Sequence, residues 1–296
     1  GPSRSGRSDR RRGSPAGPEM EPYSELAPGI RRLVAPNPSM MTGPGTNTYL
    51  FGTEEVAVLD PGPFIQEHLD RIVEIAGAPI RRIIVTHTHP DHSPGAMALA
   101  GKTGAELSGR AAPDGEHQDR SFVPDRVLDD GDELLVDGAT IRAVHTPGHA
   151  SNHLCFLHAE RNWLFTGDHV IDGSTVVINP PDGNMKQYID SLRRVRDLRC
   201  DALAPGHGEV IRDVDGVIDW IIDHRLEREA KVLKALRTNP GLTSHDLVPH
   251  VYQDVPEHLY GLAERSLLAH LEKLGEEGRA RQQSGRWVPL GGPPDA

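Results

Sequence analysis

Four residues able to bind a metal ion lie within six positions of the chain. His87, His89, Asp91 and His92 form the pattern H-x-H-x-D-H in the segment VTHTHPDH, directly after a predicted strand at residues 83–86. Imidazole and carboxylate groups are ligands that zinc accepts, and the His/His and Asp/His pairs can point to two different ions. The spacing therefore predicts a metal site at the carboxyl edge of a sheet, where sites in α/β domains usually lie.

Three later turns each add one further potential ligand. Each follows a predicted strand and contains glycine, which permits the strained backbone of a short loop that presents a side chain to an ion. The segments TPGH, TGD and PGHG supply His149, Asp168 and His207. The four turns, in this order and spacing, predict one shared metal centre.

The rest of the composition agrees with metal chemistry and disfavours a side-chain nucleophile. The chain has 16 histidines, an excess that is typical of metal binding. Its two cysteines, Cys155 and Cys200, lie outside the ligand turns, and no G-x-S-x-G nucleophile motif is present. We expect a hydroxide that bridges two metal ions to act as the nucleophile.

These turns resemble the five sequence motifs of the metallo-β-lactamase superfamily, and the resemblance covers residues 28–211. It implies an αββα sandwich in which His87, His89 and His149 hold one zinc ion. The second zinc would be held by Asp91, His92 and His207, with Asp168 as the bridge between the two ions and with Asp91 and Asp168 as the catalytic carboxylates. Asp60 and His153 match positions that contact the ligands rather than the metals. Iron or manganese would fit the same ligands.

The predicted secondary structure divides the chain into a disordered tail at residues 1–20, a catalytic domain at 21–223 and a winged-helix domain at 224–296. Short strands alternate with helices at 66–76, 92–100 and 186–198, which favours layered mixed sheets. After about residue 224 the order is three helices followed by a β-wing, with Pro249 interrupting the second helix. The tail, with its Gly-Pro start, is expected to be disordered and is consistent with a remnant of an expression vector.

The whole chain resembles the superfamily branch that carries a C-terminal winged helix. This branch includes single-strand-specific endoribonucleases and thioesterase-like hydrolases related to glyoxalase II. Four residues outside the ligand turns are candidates for contact with substrate, with an exposed helix face as the alternative for each: Lys186, Tyr188, Arg225 and Arg228. The two arginines could instead tie the winged helix to the catalytic domain. The superfamily members that hydrolyse β-lactams typically have Cys or Ser where this chain has Asp168, which argues against that activity.

Charge is the main guide to the substrate. The net charge of −11 is uneven, with −14 in residues 21–223 and zero from residue 224 onward. Because nucleic-acid-binding proteins usually have a basic face, this distribution favours an acyl or thioester substrate over single-stranded RNA, although the resemblance to endoribonucleases keeps RNA as the alternative. A third hypothesis, a nucleic-acid-binding module with a structural zinc site, is disfavoured because structural sites are usually rich in cysteine.

The composition also bears on membrane contact, cellular location and subunit association. No stretch reaches the roughly 18 apolar residues of a membrane span, so we expect no membrane contact. The scarcity of cysteine favours a cytoplasmic location. The neutral winged helix is expected to pack on the catalytic domain or on a second subunit, which would make a homodimer.

Overall fold

The structure, a computed structural model, describes residues 23–291, so the prediction for the tail at 1–20 lies outside the described residues. Seven strands form the first sheet, in which the first four are antiparallel neighbours and the last four are parallel. In spatial order they are β1 (Ser24–Ala27), β2 (Ile30–Val34), β3 (Asn47–Phe51), β4 (Val56–Leu59), β5 (Ile80–Ile84), β6 (Glu106–Gly109) and β7 (Arg126–Val127).

Five strands form the second sheet. Their spatial order is 12-11-10-9-8, in which β11 and β12 are parallel and the other pairs are antiparallel. The strands are β8 (Glu133–Val136), β9 (Ala139–His145), β10 (Leu154–His158), β11 (Trp163–Gly167) and β12 (Ala202–Pro205). Phe51 from the first sheet packs edge-on against Phe165 from the second, with ring centroids 4.7 Å apart. A buried apolar layer therefore separates the two sheets.

Helices cover the outer face of each sheet, which completes the predicted αββα sandwich. On the first sheet, α1 (Gln66–Ala76) and α2 (Gly95–Thr103) bury Leu69 and Leu99 against strand residues such as Val58. On the second sheet, α3 (Met185–Asp197) and the first half of α4 (Val214–Thr238) form a similar apolar layer. Helix α2 begins three residues later than predicted, because the residues after Asp91 form a turn before the helix.

Helix α4 belongs to two hydrophobic cores at once. Its Ile218 and Ile221 are buried with α3 against the second sheet, whereas Val232 and Leu236 are buried among the C-terminal helices. The predicted domain boundary at residue 224 falls in the middle of this continuous helix of 25 residues. The helix therefore joins the two domains as a shared element.

The C-terminal domain has the winged-helix order. After α4 come α5 (Ser244–Val251), α6 (Tyr260–Glu276) and the hairpin of β13 (Ala280–Gln283) and β14 (Arg286–Pro289). The side chain of Thr243 caps α5 by accepting a hydrogen bond from the Asp246 amide. Pro249 lies inside α5, which ends two residues later. None of the helices within residues 23–291 is long and apolar enough to cross a membrane.

His270 on α6 is fully buried, and neither ring nitrogen has a hydrogen-bond partner within the described chain. Burial, together with Arg225 and Lys273, lowers its pKa to about 3. The unfolded chain therefore binds a proton at this residue below pH 6.5 that the folded protein does not bind, and stability falls as the pH falls.

The free energy of unfolding of the wild-type protein should fall when the pH is lowered from 7.5 to 5.0. We expect this fall to be about 2 kcal/mol smaller in the variant His270→Leu. Urea unfolding of both metal-loaded proteins at the two pH values measures this difference, and other buried histidines contribute equally to both proteins. Identical losses in the two proteins would contradict the assignment to His270.

Candidate metal centre

The predicted ligands lie in four loops at one edge of the sandwich. The loop after β5 carries four of them, and the loops after β9, β11 and β12 carry His149, Asp168 and His207. Hydrogen bonds between main-chain atoms join these loops, including Leu154 N to Thr86 O at 2.8 Å and Gly206 N to Gly167 O at 2.8 Å. The structure thus brings together all seven residues that the sequence predicts as ligands.

The first ligand group consists of three imidazoles. His89 Nδ1 lies 3.0 Å from His87 Nε2 and 3.0 Å from His149 Nε2. His89 therefore faces the group with Nδ1, whereas the other two histidines face it with Nε2. Three imidazole nitrogen atoms that converge on one point are a donor set that can hold a metal ion.

The second ligand group contains two carboxylates and two imidazoles. Asp91 Oδ2 lies 3.4 Å from His92 Nε2 and 3.2 Å from His207 Nε2. Asp168 Oδ1 lies 3.2 Å from each of the same two nitrogen atoms, and its Oδ2 lies 3.5 Å from His149 Nε2 in the first group. Asp168 is thus placed between the two groups, with one oxygen toward each.

Four of the histidines are oriented through the ring nitrogen that points away from the centre. His149 Nδ1 donates to Val177 O at 2.7 Å, and His207 Nδ1 donates to Gly45 O at 3.2 Å. His92 Nδ1 donates to Asp60 Oδ2 at 2.9 Å, and His87 Nδ1 lies 2.9 Å from Thr86 Oγ1. These bonds place the proton on Nδ1 and leave Nε2 free to bind a metal ion.

Asp60 orients ligands of both groups. Its Oδ2 accepts from His92 Nδ1 and also from the Thr86 hydroxyl at 2.7 Å, which in turn accepts from His87 Nδ1. Its Oδ1 accepts from the Thr86 amide at 2.7 Å. Asp60 is buried and has a φ of 50°. The structure thus places Asp60 against a ligand of the second group and, through Thr86, against a ligand of the first group.

We expect Asp60→Asn to reduce activity by about 10–100-fold, because an amide is a weaker acceptor for the His92 N–H and the Thr86 hydroxyl. The metal affinity should fall in the same variant, as measured by competition with a chelator. Asp137→Asn is a matched control, since Asp137 also has a positive φ of 47° and accepts main-chain hydrogen bonds, but lies on an exposed turn. Equal effects of the two substitutions would contradict the assigned role.

His153 positions Asp168 through the main chain. Its Nε2 accepts a hydrogen bond from the Asp168 amide at 3.2 Å, and its Nδ1 lies 2.9 Å from Thr146 Oγ1. Burial lowers the pKa of His153 well below its ordinary value, so that the neutral ring keeps Nε2 as an acceptor. A Cβ on Gly167 would lie 2.8 Å from this nitrogen, which explains the glycine before Asp168.

The chemistry of the seven donors fits metal ions. Burial lowers the pKa of His87 well below its ordinary value and that of His89 to about 3, so both stay neutral as metal ligands must. Burial also disfavours a charge on His207, but Asp168 and Asp91 outweigh it and raise its pKa to about 10. His92 Nε2 and Asp168 Oδ1 are buried without any hydrogen bond. Buried polar atoms without partners are costly, and bound metal ions would satisfy both.

The ligand groups open into a cavity of about 1220 Å³ between the two domains. Apolar side chains form much of its wall, and the remainder consists of histidines, glycines, neutral polar residues and acidic side chains. Arg265 of α6 is the only lysine or arginine among the described residues that line it. The apolar part includes Met40, Met41, Ile171, Val176, Val177 and Leu262, and the acidic part away from the ligands includes Glu116, Asp172, Asp182 and Glu209.

The four residues predicted to contact substrate do not line this cavity. Lys186 is exposed and forms an ion pair with Asp190, one helical turn away, at 3.2 Å. Tyr188 is fully buried and donates to His169 O at 3.0 Å. These two side chains of α3 therefore contribute to the helix surface and to packing, respectively.

Arg225 and Arg228 of α4 stabilise the structure from outside the cavity. Arg225 is buried and donates to Val176 O, behind the wall that Val176 and Val177 form. Arg228 stacks on Tyr252 and lies 3.5 Å from Asp254. Arg225 binds Val176 O, and the next residue, Val177, accepts the hydrogen bond that orients His149. Helix periodicity does not reveal this contact, because it joins elements that are distant in the sequence.

Sequence reasoning missed the residues that form the cavity wall. Met40 and Met41 are exposed, and their occurrence as an apolar pair within a segment rich in proline and glycine is a weak sequence signal. Leu262 and Arg265 lie three residues apart on α6 and so share one face. The sequence alone does not show which domain this face meets.

A model of a protein family described as the metallo-beta-lactamase superfamily matches residues 41–207, more than half of the chain. The chain belongs to the metallo-beta-lactamase superfamily. It is a hydrolase of this superfamily, and the predicted fold is confirmed. A second model, described as the beta-lactamase associated winged helix domain, matches residues 243–287 and confirms the C-terminal domain.

Relatives cover nearly the whole length of this metallo-beta-lactamase superfamily protein. A beta-lactamase-like protein 2 homolog from Drosophila melanogaster is 33% identical over 272 residues, which are 87% of this chain and 91% of that protein. An atrochrysone carboxyl ACP thioesterase from Aspergillus fumigatus is 34% identical over 254 residues, which are 81% of this chain and 78% of that protein. A metallo-beta-lactamase family protein from Thermus thermophilus shares the fold, with a TM-score of 0.76 and 24% identity over 90% of this chain and all of that one.

Proposed function

We propose that this protein is a dinuclear zinc hydrolase that cleaves acyl thioesters. The observation that carries the proposal is the cavity, in which two ligand groups open between apolar walls such as those formed by Met40, Val176 and Leu262. Such walls suit the acyl part of a thioester. The thioesterase from Aspergillus fumigatus, at 34% identity, supports the same reaction class.

Zinc ions bound by the two ligand groups would supply the hydroxide nucleophile near neutral pH and would polarise the thioester carbonyl. The chain's own residues hold the reaction in place. Asp168 fixes the separation of the two groups because each of its oxygens faces one of them. Asp60 and His153 hold the ligands and the Asp168 main chain in position, and the apolar walls exclude bulk water from the acyl group.

The charge of the cavity argues against single-stranded RNA as the preferred substrate. Glu116, Asp172, Asp182 and Glu209 line the cavity away from the ligands and would repel a chain of phosphates, whereas Arg265 is the only lysine or arginine in the described lining. Strong binding to a polyanion normally requires several basic contacts. Single-stranded RNA is therefore the alternative substrate, and the experiment below compares it with thioesters.

We expect protein purified without chelators and then supplied with zinc to contain two equivalents of metal per chain. The reason is that seven ligands exceed the four positions of one tetrahedral ion. Elemental analysis by mass spectrometry measures the metal content and also detects iron or manganese. A stable value of one equivalent, unchanged by added zinc, would contradict a dinuclear centre.

The substrate class is tested by incubating the zinc-loaded protein in parallel with labelled single-stranded RNA and with a panel of pantetheine thioesters. We expect thioester cleavage, detected as released thiol, to exceed RNA cleavage at equal enzyme concentration. The variant Asp91→Ala controls for contaminating enzymes, because activity of the protein itself should disappear in it. Cleavage of RNA but not of thioesters would replace this proposal with an endoribonuclease.

A further inference from the structure

The winged-helix domain forms part of the wall of the catalytic cavity. Leu262 and Arg265 share one face of α6 and line the same cavity as His89, Asp91 and Asp168 of the metal centre. A substrate that fills this cavity therefore touches both domains. The C-terminal domain is thus placed where it can contact a substrate in this cavity.

The position of this face is fixed by contacts farther along the same side of α6. Ala269 is buried with residues of α3 and α4 in the core of the catalytic domain. Asn184, at the start of α3, donates to Glu276 at 2.8 Å, and Lys273 pairs with the buried Glu229 of α4 at 2.7 Å. Arg265 is therefore presented to the cavity by a firmly attached helix.

Arg265 is exposed, and its guanidinium has no hydrogen bond or ion pair with any residue in the range 23–291. Other arginines of the chain do have partners, such as Arg279 with Glu229 at 3.1 Å and Arg196 with Asp219 at 2.8 Å. A guanidinium carries a planar set of donors that fits a carboxylate or a phosphate with two parallel hydrogen bonds. An unpaired arginine in a cavity with no other lysine or arginine in its described lining is therefore available to an anionic ligand.

We infer that Arg265 binds an anionic group of the substrate, a carboxylate or a phosphate, at a distance from the bond that is cleaved. This inference rests on the proposed thioesterase function and specifies its substrate class. Arg265 belongs to α6 and to neither ligand group, so the anionic group would be held by the winged-helix domain while the reacting bond lies at the metal centre. Leu262, Met40 and Met41 line the same cavity and would contact the apolar part of the substrate.

The inference is tested with three pantetheine thioesters of the same acyl chain length. The first carries no charge, the second carries a terminal carboxylate on the acyl chain, and the third carries a 4′-phosphate on the pantetheine. We expect the wild-type protein to prefer at least one charged thioester, and Arg265→Ala to reduce that preference, as a ratio of kcat/KM values, by about tenfold or more. The charged thioester that loses its advantage identifies the source of the anion.

Arg281→Ala is the matched control, because Arg281 is an exposed arginine of the same domain that does not line the cavity. It should keep the wild-type preference, and Arg265→Lys should keep part of it, because lysine retains the charge but not the paired donors. A preference that survives in Arg265→Ala, or a wild-type protein that does not distinguish the three thioesters, would overturn the inference.

A second measurement separates this inference from the proposed function. Thioether analogues of the three thioesters resist hydrolysis, and calorimetry gives their dissociation constants for each variant. We expect Arg265→Ala to weaken binding of the charged analogue about tenfold relative to the neutral one. If no thioester is cleaved but this difference is found, the thioesterase function fails and the anion site stands. If thioesters are cleaved and the difference is absent, only the anion site fails.

Discussion

Asp91→Ala is expected to abolish turnover while the protein stays folded. Asp91 is one of the two carboxylates of the second ligand group, and its Oδ2 lies within 3.4 Å of His92 and His207. Metal ions contribute several kcal/mol to transition-state stabilisation, so we expect a loss of about 10³-fold or more in kcat/KM. The same loss is expected for His89→Ala in the first group.

The fold should survive because these ligands lie on loops at the edge of the sandwich rather than in its cores. Circular dichroism and metal analysis of Asp91→Ala should show wild-type secondary structure and a metal content that falls toward one equivalent. Asp190→Ala is a suitable control, since Asp190 is an exposed carboxylate that pairs only with side chains of its own helix. Global unfolding of the Asp91 variant would contradict the separation of site and scaffold.

Gly148→Ala is expected to have the largest effect on stability. Gly148 precedes the ligand His149 and has a φ of 142°, and a Cβ there would lie 2.3 Å from Tyr188 Cα. Tyr188 Cα and N, the main-chain atoms that this Cβ would meet, belong to α3, so they cannot rotate away. A strained φ and an overpacked contact each cost about 1–3 kcal/mol, so we expect a loss of about 3 kcal/mol or more, or no soluble protein.

Gly115→Ala provides the matched control for this prediction. Gly115 has a nearly identical φ of 138°, but an added Cβ would have no atom within 4 Å. Its substitution therefore measures the cost of backbone strain alone, and the difference between the two variants measures the close approach of α3. Urea unfolding gives both values. Equal losses of stability would show that the contact with Tyr188 contributes nothing.

Much of the metal centre was predictable because its residues follow a local rule. Each ligand turn comes directly after a short apolar strand, and the carboxyl ends of neighbouring strands meet at one edge of a sheet. Asp60 was singled out because it matches the first motif of the superfamily, at the end of β4. The sequence does not show that Asp60 is linked to His87 through the Thr86 hydroxyl, because this link depends on how the side chains are oriented.

The substrate cavity was not predictable in the same way, because it depends on how distant elements pack. Helix periodicity places Arg225 on α4, but only the packed structure shows that it is buried and donates to Val176 O. The sequence likewise places Tyr188 on a helix near the site. The structure shows that it is buried, because Gly148 lets α3 pack closely against the loop that carries His149. Short edge strands such as β7, with two residues, carry too few side chains to show a pattern.

Each ligand group combines side chains from both sheets of the sandwich. His87 and His89 follow a strand of the first sheet and His149 follows one of the second, and the other group is divided in the same manner. A bound ion would therefore cross-link the two sheets, which are otherwise held together by the apolar layer between them. Its binding free energy would then be linked to folding, by about 2.7 kcal/mol for each site when free metal is 100 times its dissociation constant. Chelation would lower the melting temperature along with the activity, so the supply of metal would set both the lifetime of the folded protein and its rate of turnover.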